Sequence, residues 1–213
     1  MLSLYTPSTL GFNAVVPLRT TARSAAADVR MGIADMEGIG PETANKIWDP
    51  LELTTMASDK TLAWYRHAEL KHGRVAMAAF VGFAWVQGGG GLFPGAYSLS
   101  GATFESLGHD SFAAWDALPV LAKTQIFLSL GLLEFCSENT KPHYMSGGTP
   151  GKITILGAPL APSTNLLPKD AAKVAEKRII ELKNGRLAML GMMSVFAHHS
   201  IPGSVPFFTA IGA

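Results

Sequence analysis

The chain is short of two things that a soluble domain of its size normally has. Charged residues make up only 15% of its 213 positions, against roughly 25% in ordinary globular domains. Cysteine occurs once, as Cys136, which excludes an internal disulfide framework and any multi-cysteine zinc site. Neither sign of charge dominates. The 17 Lys and Arg against 16 Asp and Glu leave a net charge of +1, with no basic stripe of the kind that nucleic acid requires. No glycine-rich phosphate loop follows a strand, and Cys136 has no His or acid at motif spacing, so an enzymatic function finds no support. Apolar residues, by contrast, are abundant at 48%. That excludes disorder and leaves a compact helical protein or a small membrane protein.

The distribution of charge separates those two. No Asp, Glu, Lys or Arg occurs from Val75 to Phe104 or from Leu187 to Ala213, and a third apolar stretch, Thr124 to Leu133, lies within Leu118–Cys136. The core of that third stretch falls short of the roughly 18 clean apolar residues of a strict span, and each stretch alone could equally be a buried helix. Lys and Arg are missing between Gly88 and Leu118 and again after Arg186, but are plentiful up to Arg74 and from Lys141 to Arg178. Three crossings would put the two basic regions on one side of a bilayer and the two Lys/Arg-free regions on the other, as a topogenic charge bias does. The chain therefore reads as an all-α, three-transmembrane-helix protein, multi-pass, with helices over about 59–87, 119–138 and 169–200. The Gly88–Gly91 run and Pro202 and Pro206 act as stops. Residues 1–30 are rich in Ser and Thr, with Arg19 and Arg23 and no acidic residue before Asp28. They read as a plastid-type targeting segment or a flexible N-terminus, ahead of one domain over 31–213.

The most informative pattern is an internal repeat. Glu69-Leu70-Lys71-His72-Gly73-Arg74-Val75-Ala76-Met77 returns as Glu181-Leu182-Lys183-Asn184-Gly185-Arg186-Leu187-Ala188-Met189, with seven of nine positions identical. Within a copy, Glu and Arg are five residues apart, about 140° around a helix, too far to pair comfortably on their own rod. An unpaired charge near a membrane interior costs about 2.5–3.5 kcal/mol on insertion scales. Reciprocal pairing across a pseudo-two-fold axis, Glu69 with Arg186 and Glu181 with Arg74, removes that cost if two long helices cross closely. The ridges Gly73, Ala76, Ala79, Gly82 and Gly185, Ala188, Gly191, Ser194 would let them do so. Each carboxylate then keeps lone pairs to spare. His72 and Asn184 lie three residues after those acids, and His198 follows Asn184 by nearly four turns. Gln125 and Glu134 lie on the middle helix. These are single ligands spread over outward faces, suited to many metals that each take one protein ligand, such as Mg²⁺ inside a macrocycle.

The doubled Glu-x-x-His/Asn-x-Arg motif, the three-span layout and the basic loops resemble the chlorophyll-binding light-harvesting antenna proteins of chloroplasts, over roughly Ile47 to Ala213. The Gln125–Glu134 spacing and Lys141-Pro142-His143-Tyr144-Met145 resemble the red-lineage algal branch, the fucoxanthin- or peridinin-chlorophyll proteins. The resemblance implies chlorophyll a, chlorophyll c and a fucoxanthin- or peridinin-type carotenoid as cofactors. It implies chlorophyll Mg ligation by Glu69, His72, Glu181, Asn184 and His198, with Gln125 and Glu134 as further pigment ligands and Arg74 and Arg186 as supporting ion-pair partners. It also implies a thylakoid membrane location in the chloroplast, surrounding thylakoid lipid, and a photosystem core and neighbouring antenna subunits as partners. Asp49-Pro50-Leu51 resembles a carotenoid-cradling loop, whose counterpart Gly157-Ala158-Pro159-Leu160 lacks the Asp. His109, His143 and His199 read as loop or off-face histidines. A photoprotective quencher of the same fold, and a pigment-free three-helix membrane protein such as an assembly factor, are the alternatives.

Overall fold

The computed structural model describes residues 37–90, 94–98, 100–139, 141–155, 158–159, 170–206 and 208. The targeting reading of residues 1–30, and Gly157 and Leu160 of the second loop, lie outside the described residues. Among the described residues there are five α-helices: α1 Leu53–Met56, α2 Asp59–Gln87, α3 Ser111–Ala117, α4 Val120–Glu138 and α5 Ala171–Ser200. The class is helical, as expected. Among the described residues β structure is limited to a pair of two-residue antiparallel strands, β1 Thr154–Ile155 and β2 Ala158–Pro159, and an isolated antiparallel bridge between Ala96 and Thr103.

Local chemistry sets the helix limits. Ser58 Oγ accepts the Thr61 N–H at 3.3 Å and Asp59 opens the first turn of α2, a side-chain cap reinforced by the helix dipole. Gly88 ends it. Pro119 stands in extended conformation just before α4, where it costs no helical hydrogen bond. Asp170 precedes α5 and pairs with Lys173 at 3.1 Å. Helix α3 was not foreseen. Asp110 caps it by accepting the Phe112 N–H at 3.0 Å, and two turns of helix are too short to leave a periodic signal.

Helix α2 packs principally on α5. The two backbones touch at Gly73 and Gly185, where a Cβ built on either residue would stand 3.0 Å from the Cα of the other. Only glycine permits that approach. Nearby, Phe80 rests on Gly191. At one end of the pair, Phe83, Phe112, Phe196 and Phe208 form a ring cluster with centroids 5.8–6.2 Å apart. At the other end, His67 stacks on Tyr144 at 4.0 Å.

Helix α4 stands apart, with no buried residue. It is the one helix among the described residues long and apolar enough to cross a membrane by length and composition. Helices α2 and α5 miss that criterion because each carries the charged repeat across its midpoint. All three leave large side chains uncovered, including Val75, Val81 and Trp85 on α2, Phe127, Leu128 and Phe135 on α4, and Leu187, Leu190 and Met193 on α5. An apolar surface of this extent has to be covered by something other than water.

Candidate functional site

Both crosswise ion pairs expected from the duplication are formed. Arg186 Nε donates to Glu69 Oε1 at 2.7 Å, and Arg74 Nε donates to Glu181 Oε1 at 2.5 Å. Each guanidinium reaches one step further, to the carbonyl of a loop glycine. Arg74 Nη1 donates to Gly151 O at 2.6 Å and Arg186 Nη1 to Gly38 O at 3.1 Å. Gly38 and Gly151 have φ of +112° and +81°, a left-handed conformation that side chains disfavour. Any Cβ there would run into Leu182 and Leu70 respectively. Thus each arginine ties the opposite helix and an incoming loop to one point, and glycine is what lets the loop reach it.

The two carboxylates differ in what else holds them. Glu69 Oε2 accepts Arg66 Nη1 at 2.7 Å, one turn earlier on α2, so both of its oxygens are engaged. Glu181 Oε2 has no partner among the described residues. A carboxylate oxygen offers more than one lone pair, so Glu69 can still bind a metal, while Glu181 offers a bare oxygen.

The remaining expected ligands are dispersed over the three long helices. His72 is exposed, and its Nδ1 stands 2.8 Å from Ala68 O. A carbonyl only accepts, so Nδ1 carries the proton and Nε2 presents its lone pair outward, the state in which imidazole binds metal. Asn184 is exposed on α5 with no partner among the described residues, and Gln125 is exposed on α4. His198 is half-buried beside the Phe208 ring, with a centroid distance of 5.6 Å. No group of three or more His, Cys, Asp or Glu that could hold a metal ion occurs among the described residues. The arrangement is therefore one of scattered single donors. Glu134 is already engaged, because its Oε1 accepts from Lys71 Nζ.

That lysine belongs to a joint that sequence reasoning missed. Lys71 also donates to Glu138 Oε1 at 2.7 Å, while Glu138 Oε2 accepts His143 Nε2 and the Tyr144 hydroxyl, each at 3.1 Å. Burial, together with the bond to Glu138, pushes the Tyr144 hydroxyl up to about 12, so it remains a proton donor. His143 is not a free loop histidine, since its Nδ1 accepts the Met145 N–H at 3.2 Å. His199 is exposed but stacks on Phe112 at 3.9 Å. The Arg66–Glu69 pair was visible as an i,i+3 spacing. The α2–α4 joint spans more than 60 residues and left no local signal.

Asp49 holds the first turn of α1 from three residues ahead of its N-cap Glu52, its carboxylate accepting the Leu53 and Thr54 N–H groups at 3.1 and 2.7 Å and the Thr54 hydroxyl at 2.5 Å. Trp64 and Trp85 are exposed on α2.

Residues 34–200 match the family model described as "Chlorophyll A-B binding protein". The chain is 31% identical to fucoxanthin-chlorophyll a-c binding protein A, chloroplastic, of Macrocystis pyrifera, over 86% of this chain and 80% of that one. To protein C of the same organism it is 32% identical over the same shares. To fucoxanthin-chlorophyll a-c binding protein A, chloroplastic, of Phaeodactylum tricornutum it is 29% identical, over 90% of this chain and 92% of that one. With a duplicated Glu–Arg motif closing two helices on each other inside a match of that extent, the chain belongs to the chlorophyll A-B binding protein family.

Proposed function

We propose that this protein is a light-harvesting antenna that binds chlorophylls a and c and a fucoxanthin-type carotenoid and passes excitation energy to a photosystem. It catalyses no reaction. The observation that carries this reading is the crosswise pairing at the Gly73–Gly185 contact, which neutralises two acids and two bases while leaving a carboxylate oxygen of Glu181 bare. A pigment supplies the conjugated chromophore, and its Mg accepts one axial ligand from the protein. Glu69, His72, Glu181, Asn184 and His198 would be those ligands, with Gln125 and Glu134 on α4. The donor set fits, because carboxylate, amide and neutral imidazole all suit Mg²⁺ in a macrocycle. Arg74 and Arg186 fix the two carboxylates in orientation.

The same reading makes α2, α4 and α5 three thylakoid spans, with α2 and α5 crossing about a pseudo-two-fold axis. Its support is the Lys/Arg asymmetry of the connections, the uncovered apolar faces and the duplicated loop contacts at Gly38 and Gly151. Residues 31–213 form one pigment-binding domain, and residues 1–30 direct the chain to the plastid. A photosystem core and adjacent antenna subunits are the partners. The chloroplast location follows the relatives, whose names carry the word chloroplastic.

The test is reconstitution of the full chain with chlorophylls a and c and fucoxanthin. The expected result is a stoichiometric complex whose chlorophyll a fluorescence is excited through chlorophyll c and carotenoid. A protein recovered with no pigment, or with pigments that transfer no energy, overturns the reading.

A further inference from the structure

A cavity of about 220 Å³ lies between the N-terminal half of α2 and the loop after α4. That is far above the roughly 10–15 Å³ needed to admit one water, and more than a bare ion fills. None of its lining residues is acidic. The buried His67 forms one wall, with its side chain 7% exposed. Gly151 N–H donates to His67 Nδ1 at 3.0 Å, so Nδ1 is unprotonated and the proton sits on Nε2. That Nε2–H is buried without a hydrogen-bond partner. Its nearest carboxylate, Glu138 Oε1, is 3.5 Å away, beyond the 2.7–3.2 Å of an N–H···O bond. Glu138 is already committed to Lys71, His143 and Tyr144. Lys141 and Lys152 line the same cavity with no carboxylate partner among the described residues, together with the hydroxyl of Thr149. The uncommitted polar groups are thus two cations, one fixed N–H donor and one hydroxyl.

We propose that this cavity binds a tetrahedral oxyanion, a phosphate or sulfonate group, carried by an anionic lipid headgroup or free in solution. Charge-assisted donors favour such a group, and an ionised oxygen would satisfy the His67 donor. The lipid source is supported by the uncovered Leu130 and Leu133, which share with the cavity-lining Ser137 one face of α4 by helical spacing, so that acyl chains can lie along that face while the headgroup occupies the cavity. This inference adds to the antenna reading and rests on it only for the nearness of a membrane.

The test uses the pigment-loaded full chain in detergent, titrated with phosphatidylglycerol, with phosphatidylcholine of the same acyl chains, and separately with inorganic phosphate and sulfate. Retained lipid and ions are read by native mass spectrometry. The expected result is at least tenfold preference for phosphatidylglycerol over phosphatidylcholine. The preference falls to about unity in K141Q/K152Q and is unchanged in K60Q/K177Q, which removes two exposed lysines outside the cavity. If phosphate or sulfate alone binds, and is lost in K141Q/K152Q, the site stands with a free ion as its source. No preference together with no ion binding overturns the site. So does equal loss in both double variants, which marks a diffuse basic surface. The absorption spectrum of the same samples keeps the two readings apart: intact pigments with no anion binding refute the cavity site and leave the antenna function standing.

Discussion

The two copies of the repeat place Glu69 and Glu181 in equivalent surroundings, yet they hold them with unequal force. Glu69 is gripped by Arg186 from α5 and by Arg66 from its own helix, whereas Glu181 is gripped, among the described residues, by Arg74 alone. The residue matching Arg66 in the second copy is Arg178, and it turns away to Glu37, 3.5 Å distant. The lysines differ as well. Lys71 bridges two carboxylates of α4, while Lys183 reaches Glu42 ahead of α1 at 2.8 Å. Duplication therefore supplied the crossing, and each copy was then used to fasten a different, unrepeated part of the chain. Equivalent substitutions in the two copies should have equal effects at the shared contact and unequal effects everywhere else.

The shared contact should give the largest effect. Gly73→Val and Gly185→Val each drive side-chain atoms into the opposite backbone, which cannot yield as a side chain can. Overpacking costs about 1–3 kcal/mol, occasionally more, and here it also parts both ion pairs. Each variant should fail to yield a stable pigment complex on reconstitution, and to the same degree. A complex of normal yield from either one would mean that the helices do not meet there.

The arginines should break the equivalence. Arg74→Leu leaves Glu181 with no cation among the described residues, whereas Arg186→Leu leaves Glu69 with Arg66. Removing one partner of a buried pair costs 3–5 kcal/mol, and partial exposure here reduces that to about 2–3 for Arg74→Leu. About 1 kcal/mol is expected for Arg186→Leu, since Arg66 remains. The thermal midpoint of the chlorophyll circular dichroism signal reads the difference. In an Arg66→Gln background, Arg186→Leu should become as damaging as Arg74→Leu, a coupling that a double-mutant cycle measures directly. Equal midpoints for the two single variants would show that Arg66 contributes nothing.

These contrasts also mark what the sequence could disclose. The expected helix limits of 59–87, 119–138 and 169–200 compare with observed helices at Asp59–Gln87, Val120–Glu138 and Ala171–Ser200. Glycine and proline stops and long charge-free stretches are local signals and survive in sequence. The crossed pairs were legible because a repeated acid and base five residues apart have no other economical partner. The Glu138 joint was not legible. His67, Lys71, His143 and Tyr144 meet it from two separate segments, and Lys71 by itself is an ordinary basic residue on a basic side. The engagement of Glu134 by Lys71 was hidden for the same reason, although it bears directly on how freely Glu134 can bind a pigment.

Lys71 and Lys183 give a smaller effect that separates the copies further. Lys71 keeps only 18% of its side chain exposed and serves two carboxylates, whereas Lys183 is half-buried and its partner Glu42 is exposed. A surface pair contributes about 0–1 kcal/mol, so Lys183→Met should leave pigment content unchanged. Lys71→Met should release the end of α4, which packs little against α2 otherwise. The chlorophyll proposed on Gln125 and Glu134 should then be lost, while the pigments proposed on α2 and α5 remain. Lys71→Arg should restore it. Loss of pigment from all three helices would show instead that the lysine supports the fold as a whole.

The smallest effect is on the segment before α2. The hydrogen bond from Lys183 holds the Glu42 carboxyl below its ordinary value of 4.5, and the Thr54 hydroxyl, followed by the Thr54 amide, holds Asp49 below 3.8. Carboxyls depressed in the folded state add stability that is complete above their ordinary values and is lost as pH falls through their lowered ones. Hydrogen exchange at the Leu53 and Thr54 amides should therefore be flat from pH 8 to 5, once corrected for the intrinsic rate, and should quicken only below the ordinary carboxylate range. Asp49→Asn should move that quickening to neutral pH, because an amide accepts more weakly than a carboxylate at the first turn of α1. Lys183→Met, acting through Glu42, should leave these two amides unaffected. If both substitutions release the amides together, the N-terminal segment is fastened as one unit by the second copy of the repeat, and the Asp49 contact is subordinate to it.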